Sequence, residues 1–537
     1  MLLLTRSGFV RFLFAITMFA ASFAADPESA RAEVTAFKQA VAEAAALDRD
    51  IAEFYRETGY KPVWTGESWK DRQRRKALFA ALDGASAHGL PAKRYDVDKL
   101  TNMLRTIRSP RDLGQAEVAL SKAFVTYAHD VQTGIVTPGK VDGDIKRKVP
   151  LRDRKSYLSA FVQSSPTAFM RALPPQNPEY ARLMKAKLQL EKQIAHGGWG
   201  AKVPGKKLQP GDSGAAVVAL RNRLVAMGYL RRSATKTFDG TMGQAVQKFQ
   251  AAHGLNTDGV AGGVTLQEIN VGPEQRLQSV IVAMERERWT NMERGKRHVL
   301  VNLTDYTAKI MDNNKVTFQT RSVVGANTHD RRSPEFSDVM EHMVINPTWN
   351  VPRSIAVKEY LPMMKRNPNA AGHLKLINGR GQSVSRANID FSQYNERNFP
   401  FDIKQPPSRS NALGLVKFMF PNKYNIYLHD TPAKNLFSRE TRAYSHGCIR
   451  LQQPFDFAYA LLAKQSSDPK GEFHKHLKTG RETKVDLVQN VPVHIIYRTA
   501  VTSPKGQVGF RRDVYGRDAK IWRALDAAGV ELGSVRG

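Results

Sequence analysis

The chain has 537 residues, 42% of them hydrophobic and 24% charged, with 81 Lys and Arg against 50 acidic residues for a formal charge of +31. That length exceeds what one hydrophobic core supports and calls for three or more domains, and the composition excludes wholesale disorder and several membrane spans. The one cysteine excludes an internal disulfide and the usual multi-cysteine zinc sites, which leaves it packing or reactivity as a role.

In chain order, Arg6 and Arg11 precede a largely apolar run from Phe12 to Ala25, with small residues at Ser22 and Ala24 before Asp26-Pro27. This is the layout of a signal peptide over 1–24, cut after Ala24; the run is shorter than the roughly 20 residues that span a bilayer, and an uncleaved anchor is the alternative. No later segment is apolar enough over such a length, so the mature chain is expected to be exported with no transmembrane span. Export makes nucleic acid an unexpected partner in spite of the charge. The anions outside an inner membrane are wall carboxylates, headgroups and surface polymers, and the basic excess either retains the protein among them or is solvated surface.

Residues 28–200 read as a helical scaffold, with apolar residues at three-to-four spacing in Ala77-Leu78-Ala81-Leu82 and Ala116-Leu120-Phe124-Tyr127, and with Phe54, Tyr55 and Trp64 as core. The linker AKVPGKKLQP follows at 201–210. A compact three-helix module then spans 208–272. Asp212 or Ser213 is placed to cap its first helix, whose Val217, Leu220, Leu224 and Met227 share a face that Gly228 closes. A second helix carries Met242, Ala245, Val246 and Phe249 after the turn Phe238-Asp239-Gly240, and a third starts near Thr265-Leu266. The strings GDSGAAVVALRNRLVAMGYL, FDG, AVQKFQAAHGL and DGVAG resemble the peptidoglycan-binding domain type 1 family. The resemblance implies docking on wall glycan or peptide; a spacer that no longer binds is the bland alternative.

After a helix near Gln275 to Arg288 the period changes to alternation. Val299-Val301-Leu303, Tyr306-Ala308-Ile310 and Val316-Phe318-Thr320 predict strands, with Asp312-Asn313-Asn314 as a turn. Further strands are expected at Tyr424-Ile426-Leu428 and Val493-Ile495-Tyr497, which gives a β-rich domain over 294–500. Within it, 349–411 is rich in Pro, Asn, Gly and Arg and reads as an insertion without a strand pattern, of a length that often forms a lid. A polar tail over 501–537, with a short helix at Ile521 to Leu525, closes a multidomain α+β chain.

The chemistry concentrates in Leu428-His429-Asp430 and Tyr444-Ser445-His446-Gly447-Cys448-Ile449-Arg450, where the only cysteine sits among two histidines and an arginine. Imidazole or positive charge favours the thiolate that acts as nucleophile, Gly447 lets backbone pass close to a substrate, and a peptide N–H beside the cysteine is placed to hold an oxyanion. Arg450 suits fork-shaped recognition of a carboxylate. By residue type this is equipment for acyl transfer, with a structural cysteine as the bland reading. The string SHGCIR, with a histidine 19 positions before the cysteine, resembles the L,D-transpeptidase catalytic domain, also called YkuD. NPTWNVP at 346–352 and PPSRSNALGLVKFMFPN at 406–422 resemble its large periplasmic subfamily, which combines helical scaffold, wall-binding module and capping insertion.

That resemblance implies a periplasmic, wall-associated cysteine acyltransferase with Cys448 as nucleophile and His429 as base, its ring oriented by the carbonyl just after it. Asp430 stands where the family commonly has a small residue, so carbonyl or carboxylate is open as the orienting group. His446 and Gly447 would line the oxyanion region, with His446 a rival for the base. Arg450, Ser445, Tyr444 and Trp349 are assigned to substrate binding. The implied reaction attacks the third-residue carbonyl of a tetrapeptide stem, expels D-Ala and passes the acyl group to a neighbouring stem amine as a 3-3 cross-link. Hydrolysis of the thioester and lipoprotein anchoring are alternatives, as is a non-catalytic wall-binding scaffold. His329, His342 and His494 lack metal-ligand spacing and no phosphate loop occurs, so neither metal nor cofactor is expected.

Overall fold

A computed structural model describes residues 27–504 and 506–532, with side chains from 35 onward; the expected signal peptide lies outside the described residues. The chain forms two compact units, one from residues up to 72 together with Asp98–Lys122, the other from Gln73–Val97 together with everything from Ala123. The helical stretch expected as one scaffold is thus divided. In the first unit the helix Arg49–Glu57 and the following turn are organised by Glu117, fully buried, whose carboxylate accepts from the Tyr55 hydroxyl at 2.6 Å and from the Val63, Trp64 and Thr65 amides at 2.6, 3.1 and 2.8 Å. A buried carboxylate is tolerable only when its lone pairs are met in this way. Trp64, Phe54 and Tyr55 are core.

In the second unit the three-helix module packs Val217, Leu220, Leu224, Met242, Val246, Phe249 and Leu266 into its own core. Its first helix, Ala215–Ala226, has Gly214 as N-cap rather than Asp212 or Ser213. The Asp212 carboxylate is spent instead on the Gln209 amide at 2.8 Å, and Ser213 pairs with Thr237. The second helix, Gly240–His253, starts on Asp239, which accepts from the Met242 amide at 2.8 Å.

The β-rich part comprises β1 (Arg297–Asn302), β2 (Thr307–Asp312), β3 (Lys315–Gly325), β4 (Phe336–Ile345), β5 (Trp349–Asn350), β6 (Lys375–Ile377), β7 (Ser383–Val384), β8 (Asp402–Gln405), β9 (Val416–Met419), β10 (Leu428–His429), β11 (Ala443–Ser445), β12 (Ile449–Leu451) and β13 (Thr483–Ile496). Nine strands run in the order β11-β3-β12-β10-β9-β4-β13-β1-β2, and an added β2–β3 pairing closes the sheet on itself. Asn313 and Asn314, at φ of 49° and 63°, make the β2–β3 turn in the left-handed conformation that asparagine tolerates. Inward-facing Val299, Val301, Ile310, Phe418, Leu428 and Ile449 fill the core with Phe457 of the helix Pro454–Leu462.

Three expectations change here. The 349–411 insertion is not strandless: β5, β8, β6 and β7 form a four-stranded sheet over a separate core of Val357, Leu361, Met364, Leu376, Phe391 and Ile403. Strands of two to four residues are too short to print an alternation. The expected Tyr424-Ile426-Leu428 strand shrinks to β10, because the Asn422 side chain captures 422–426 as a turn, donating to the Phe420 and Ile426 carbonyls and accepting from the Tyr424 and Ile426 amides. The expected polar tail is a folded element in which β14 (Ala500–Thr502) pairs with β15 (Val508–Phe510) and the helix Arg517–Ala527 buries Arg517, Ile521 and Leu525. Arg517 reaches Glu335 at 3.2 Å, and Glu335 also takes Arg286 at 2.6 Å, so the tail is held by charges that cannot be left unpaired in the interior.

Candidate active site

Parallel pairing of β10 with β12 sets Leu428 beside Ile449 and His429 beside Arg450, so that both motifs reach one end of the closed sheet. Cys448 lies one residue before β12. There a cavity of about 430 Å³ is lined on the sheet side by Cys448, His429, Arg450, Ser445, His446 and Tyr427, and on the insertion side by Trp349, Glu359 and Tyr360. Six of the eight residues assigned from sequence therefore come together. Gly447 sits buried behind the wall, and Tyr444 stands outside the lining with the Arg439 guanidinium 5.4 Å over its ring.

The turn carrying the sulfur is fixed peptide by peptide. The Ser445 hydroxyl donates to the Cys448 carbonyl at 2.6 Å and accepts from the Gly447 amide at 3.1 Å. The buried Ser333 hydroxyl donates to the Gly447 carbonyl at 2.6 Å, and accepts from the Gly325 amide at 2.9 Å. Gly447 has φ +112°, a backbone conformation that strains any side chain, and a Cβ there would also stand a tight 3.2 Å from the end of Ile426. With carbonyls 447 and 448 pinned, the Cys448 amide makes no hydrogen bond to another described residue. It is a free donor beside the sulfur.

His429 is buried, and its Nδ1 donates to the Asp430 carbonyl at 2.5 Å. The Asp430 carboxylate is engaged elsewhere, accepting from the Leu415 amide at 2.9 Å, the Thr431 amide at 2.7 Å and Lys434 at 2.5 Å. The carbonyl rather than the carboxylate therefore orients the ring through Nδ1, with the Leu413 backbone as a second hydrogen-bonding neighbour of the imidazole. Burial first, then the Arg450 charge, pull His429 down to about 3, so the ring is neutral at physiological pH.

Burial also pushes the Cys448 thiol up to about 11, against opposing hydrogen bonds from Tyr427 and the Arg450 charge. Its Sγ donates to the Asn425 carbonyl at 3.4 Å. The resting pair is thus thiol and neutral imidazole; the expectation of a sulfur already ionised by its neighbours is not met, because desolvation outweighs the one nearby cation. Burial and the Cys448 charge keep the Tyr427 phenol protonated, and its ring meets His429 edge-on at 5.6 Å between centroids. Arg450 forms no ion pair among the described residues, and its Nε is buried without a partner. An uncompensated guanidinium in a cavity wall is an anion site by electrostatics.

Residues 296–485 match the family model described as the L,D-transpeptidase catalytic domain. The chain carries an L,D-transpeptidase domain. Residues 49–186 match the Scaffold domain, and 213–269 the family described as “Putative peptidoglycan binding domain”. A curated relative, the “Putative L,D-transpeptidase” of Haemophilus influenzae, is 30% identical over 242 residues, 45% of this chain and 48% of the relative, so the match spans about half of that protein's length. Two solved L,D-transpeptidases were also matched. The one from Xylanimonas cellulosilytica is 14% identical over 55% of this chain and 98% of its own, with a TM-score of 0.17; that from Stackebrandtia nassauensis is 16% identical over 55% and 97%, with a TM-score of 0.22.

Tyr427, Asn425, Ser333 and Glu359 were not singled out from the sequence. Tyr427 was hidden in the supposed strand alternation, and Ser333 carries no motif of its own. Glu359 lies in the segment whose folding was not legible. Among the described residues no helix is long and apolar enough to cross a membrane.

Proposed function

We propose that this L,D-transpeptidase domain cross-links peptidoglycan stems in the periplasm, with Cys448 as nucleophile and His429 as general base. The observation that carries the reading is the convergence, in one cavity, of a lone thiol, an imidazole with Nδ1 anchored on a carbonyl, and an unpaired guanidinium. As Sγ attacks the third-residue carbonyl of a tetrapeptide stem, its proton passes to His429 Nε2. The oxyanion is received by the Cys448 amide, and Arg450 takes a stem carboxylate. Collapse breaks the amide bond to D-Ala, whose amine takes the proton from His429 and leaves. A stem amine then attacks the thioester, gives its proton to His429, and releases Cys448 as the thiol.

A resting thiol suits this sequence, because proton transfer accompanies attack and no thiolate has to be held in the cavity beforehand. The peptidoglycan-binding module is read as docking the enzyme on the wall, and residues 1–24 as the export signal. Purified protein incubated with disaccharide-tetrapeptide and followed by mass spectrometry tests the reading. Loss of D-Ala with a dimer is expected. Loss with monomeric tripeptide would make the enzyme a carboxypeptidase, and no D-Ala release would remove the mechanism.

A further inference from the structure

Among the described residues, the hydrogen bond that ties the insertion to the turn of Cys448 runs through one side chain. Glu359 lies on the helix that starts at Arg353 and ends at Arg366, in a π-helical turn over Ala356–Tyr360. Pro362 explains the irregularity: it lacks an N–H and crowds the carbonyl four residues back, so the turn before it widens. The widened turn presents Lys358, Glu359 and Tyr360 together to the cavity. Glu359 Oε1 then accepts two charge-assisted bonds, from Arg331 at 2.6 Å and from His446 Nε2 at 2.6 Å, while Lys358 stands 3.6 Å from Asp330. His446 is two residues from Cys448.

We infer that Glu359 is a positioning residue that latches the insertion over Cys448 and so sets how the thioester is divided between amine and water. The inference rests on the proposed thioester chemistry and names a control on its second half. A stem amine and water compete for the same acyl group, and the competition turns on how dry the cavity is while the thioester lasts. With Glu359 in place, the insertion wall, including Tyr360 against Trp349 at 6.3 Å, is held over the sulfur. Without it, Arg331 and His446 both lose their acceptor and the helix is released from the turn. The side chains of both pairs are 32 to 37% exposed, so the latch is weak enough to open for substrate.

Two measurements on the full chain test this. In the first, Glu359→Ala and Arg331→Ala are compared with wild type for the ratio of tripeptide to cross-linked dimer, which is independent of total rate. Glu359→Ala is expected to raise it about fivefold, the population change that loss of one partly exposed charge cluster produces. Glu359→Gln, which keeps the size and one accepting oxygen, is expected to fall between; a helix that had simply lost structure would not be restored by it. In the second, Cys448 alkylation is timed with a small reagent, iodoacetamide, and a bulky maleimide, and their rate ratio reports access without any turnover. The bulky reagent is expected to gain about fivefold relative to the small one in Glu359→Ala. Unchanged ratios in wild type and Glu359→Ala would overturn the latch. Should wild type release no D-Ala, the proposed function fails while the alkylation ratio still decides the latch.

Discussion

Replacing Asp430 by Asn separates two ways of holding His429. The Asp430 carbonyl that accepts from Nδ1 is main chain and survives the change. The side chain does not survive it unharmed. Its two oxygens take three donors, the Leu415 and Thr431 amides and Lys434, and the amide nitrogen must face one of them donor to donor. One such conflict, with weakening of the Lys434 bond, costs about 2 kcal/mol, which for a catalytic domain of this size lowers the melting temperature by roughly 4 to 8 °C. In the folded fraction His429 keeps its tautomer, so single-turnover thioester formation, read as intact mass on a tetrapeptide stem, is expected within about tenfold of wild type. Were the carboxylate the orienting group, the swap would present the wrong partner, and losses near 10⁴-fold are typical of that error. A loss of that size in a protein that melts like wild type would refute the assignment.

Cys448→Ala is expected to abolish both D-Ala release and dimer formation, and His429→Ala to slow acylation by several orders of magnitude with melting little changed; full activity in either removes the proposed mechanism. With the thiol up at about 11, iodoacetamide labelling of the free enzyme should accelerate about tenfold per pH unit from pH 7 toward pH 11, and a plateau already reached at pH 7 would contradict the resting thiol. His88, His429 and His494 are held at about 4, 3 and 4 by burial, below the 6.5 of an unfolded histidine. The unfolded chain therefore binds more protons over that interval, so their share of stability is present above pH 6.5 and is lost as pH falls toward 4; urea midpoints should drop in step, by up to about 1.4 kcal/mol per pH unit for each ring. Asn411→Ala removes a fully buried amide that reaches the Pro347 and Pro406 carbonyls at both roots of the insertion, at 3.1 and 3.0 Å. About 2 to 4 kcal/mol of catalytic-domain stability is expected to go with it, measured by thermal melting.

Much of this was legible because the signals were local. Alternation at Val299 to Ile310 announced β1 and β2, Asn313-Asn314 announced the turn into β3, and the spacing of Val217, Leu220 and Leu224 gave the module its core. His429 and Cys448 declared themselves by residue type and string. What escaped the sequence depends on groups distant along the chain. Ser333 acquires its role only when β3, the Cys448 turn and the tail converge, and Glu359 only when the insertion folds over the sheet end. The thiol's resting state was misjudged for a related reason: charge can be read from residue names, whereas desolvation belongs to the assembled cavity.

The tail has a consequence for how the protein comes into being. Tyr515 donates to the Gly325 carbonyl at 2.6 Å, and Arg517 donates to the Ser333 carbonyl at 2.9 Å. Ser333 in turn fixes the Gly447 carbonyl next to Cys448. A ribosome delivers Cys448 well before Arg517, so a nascent chain holds its sulfur on a turn that lacks this brace. A chain shortened just past β13 would lack that brace.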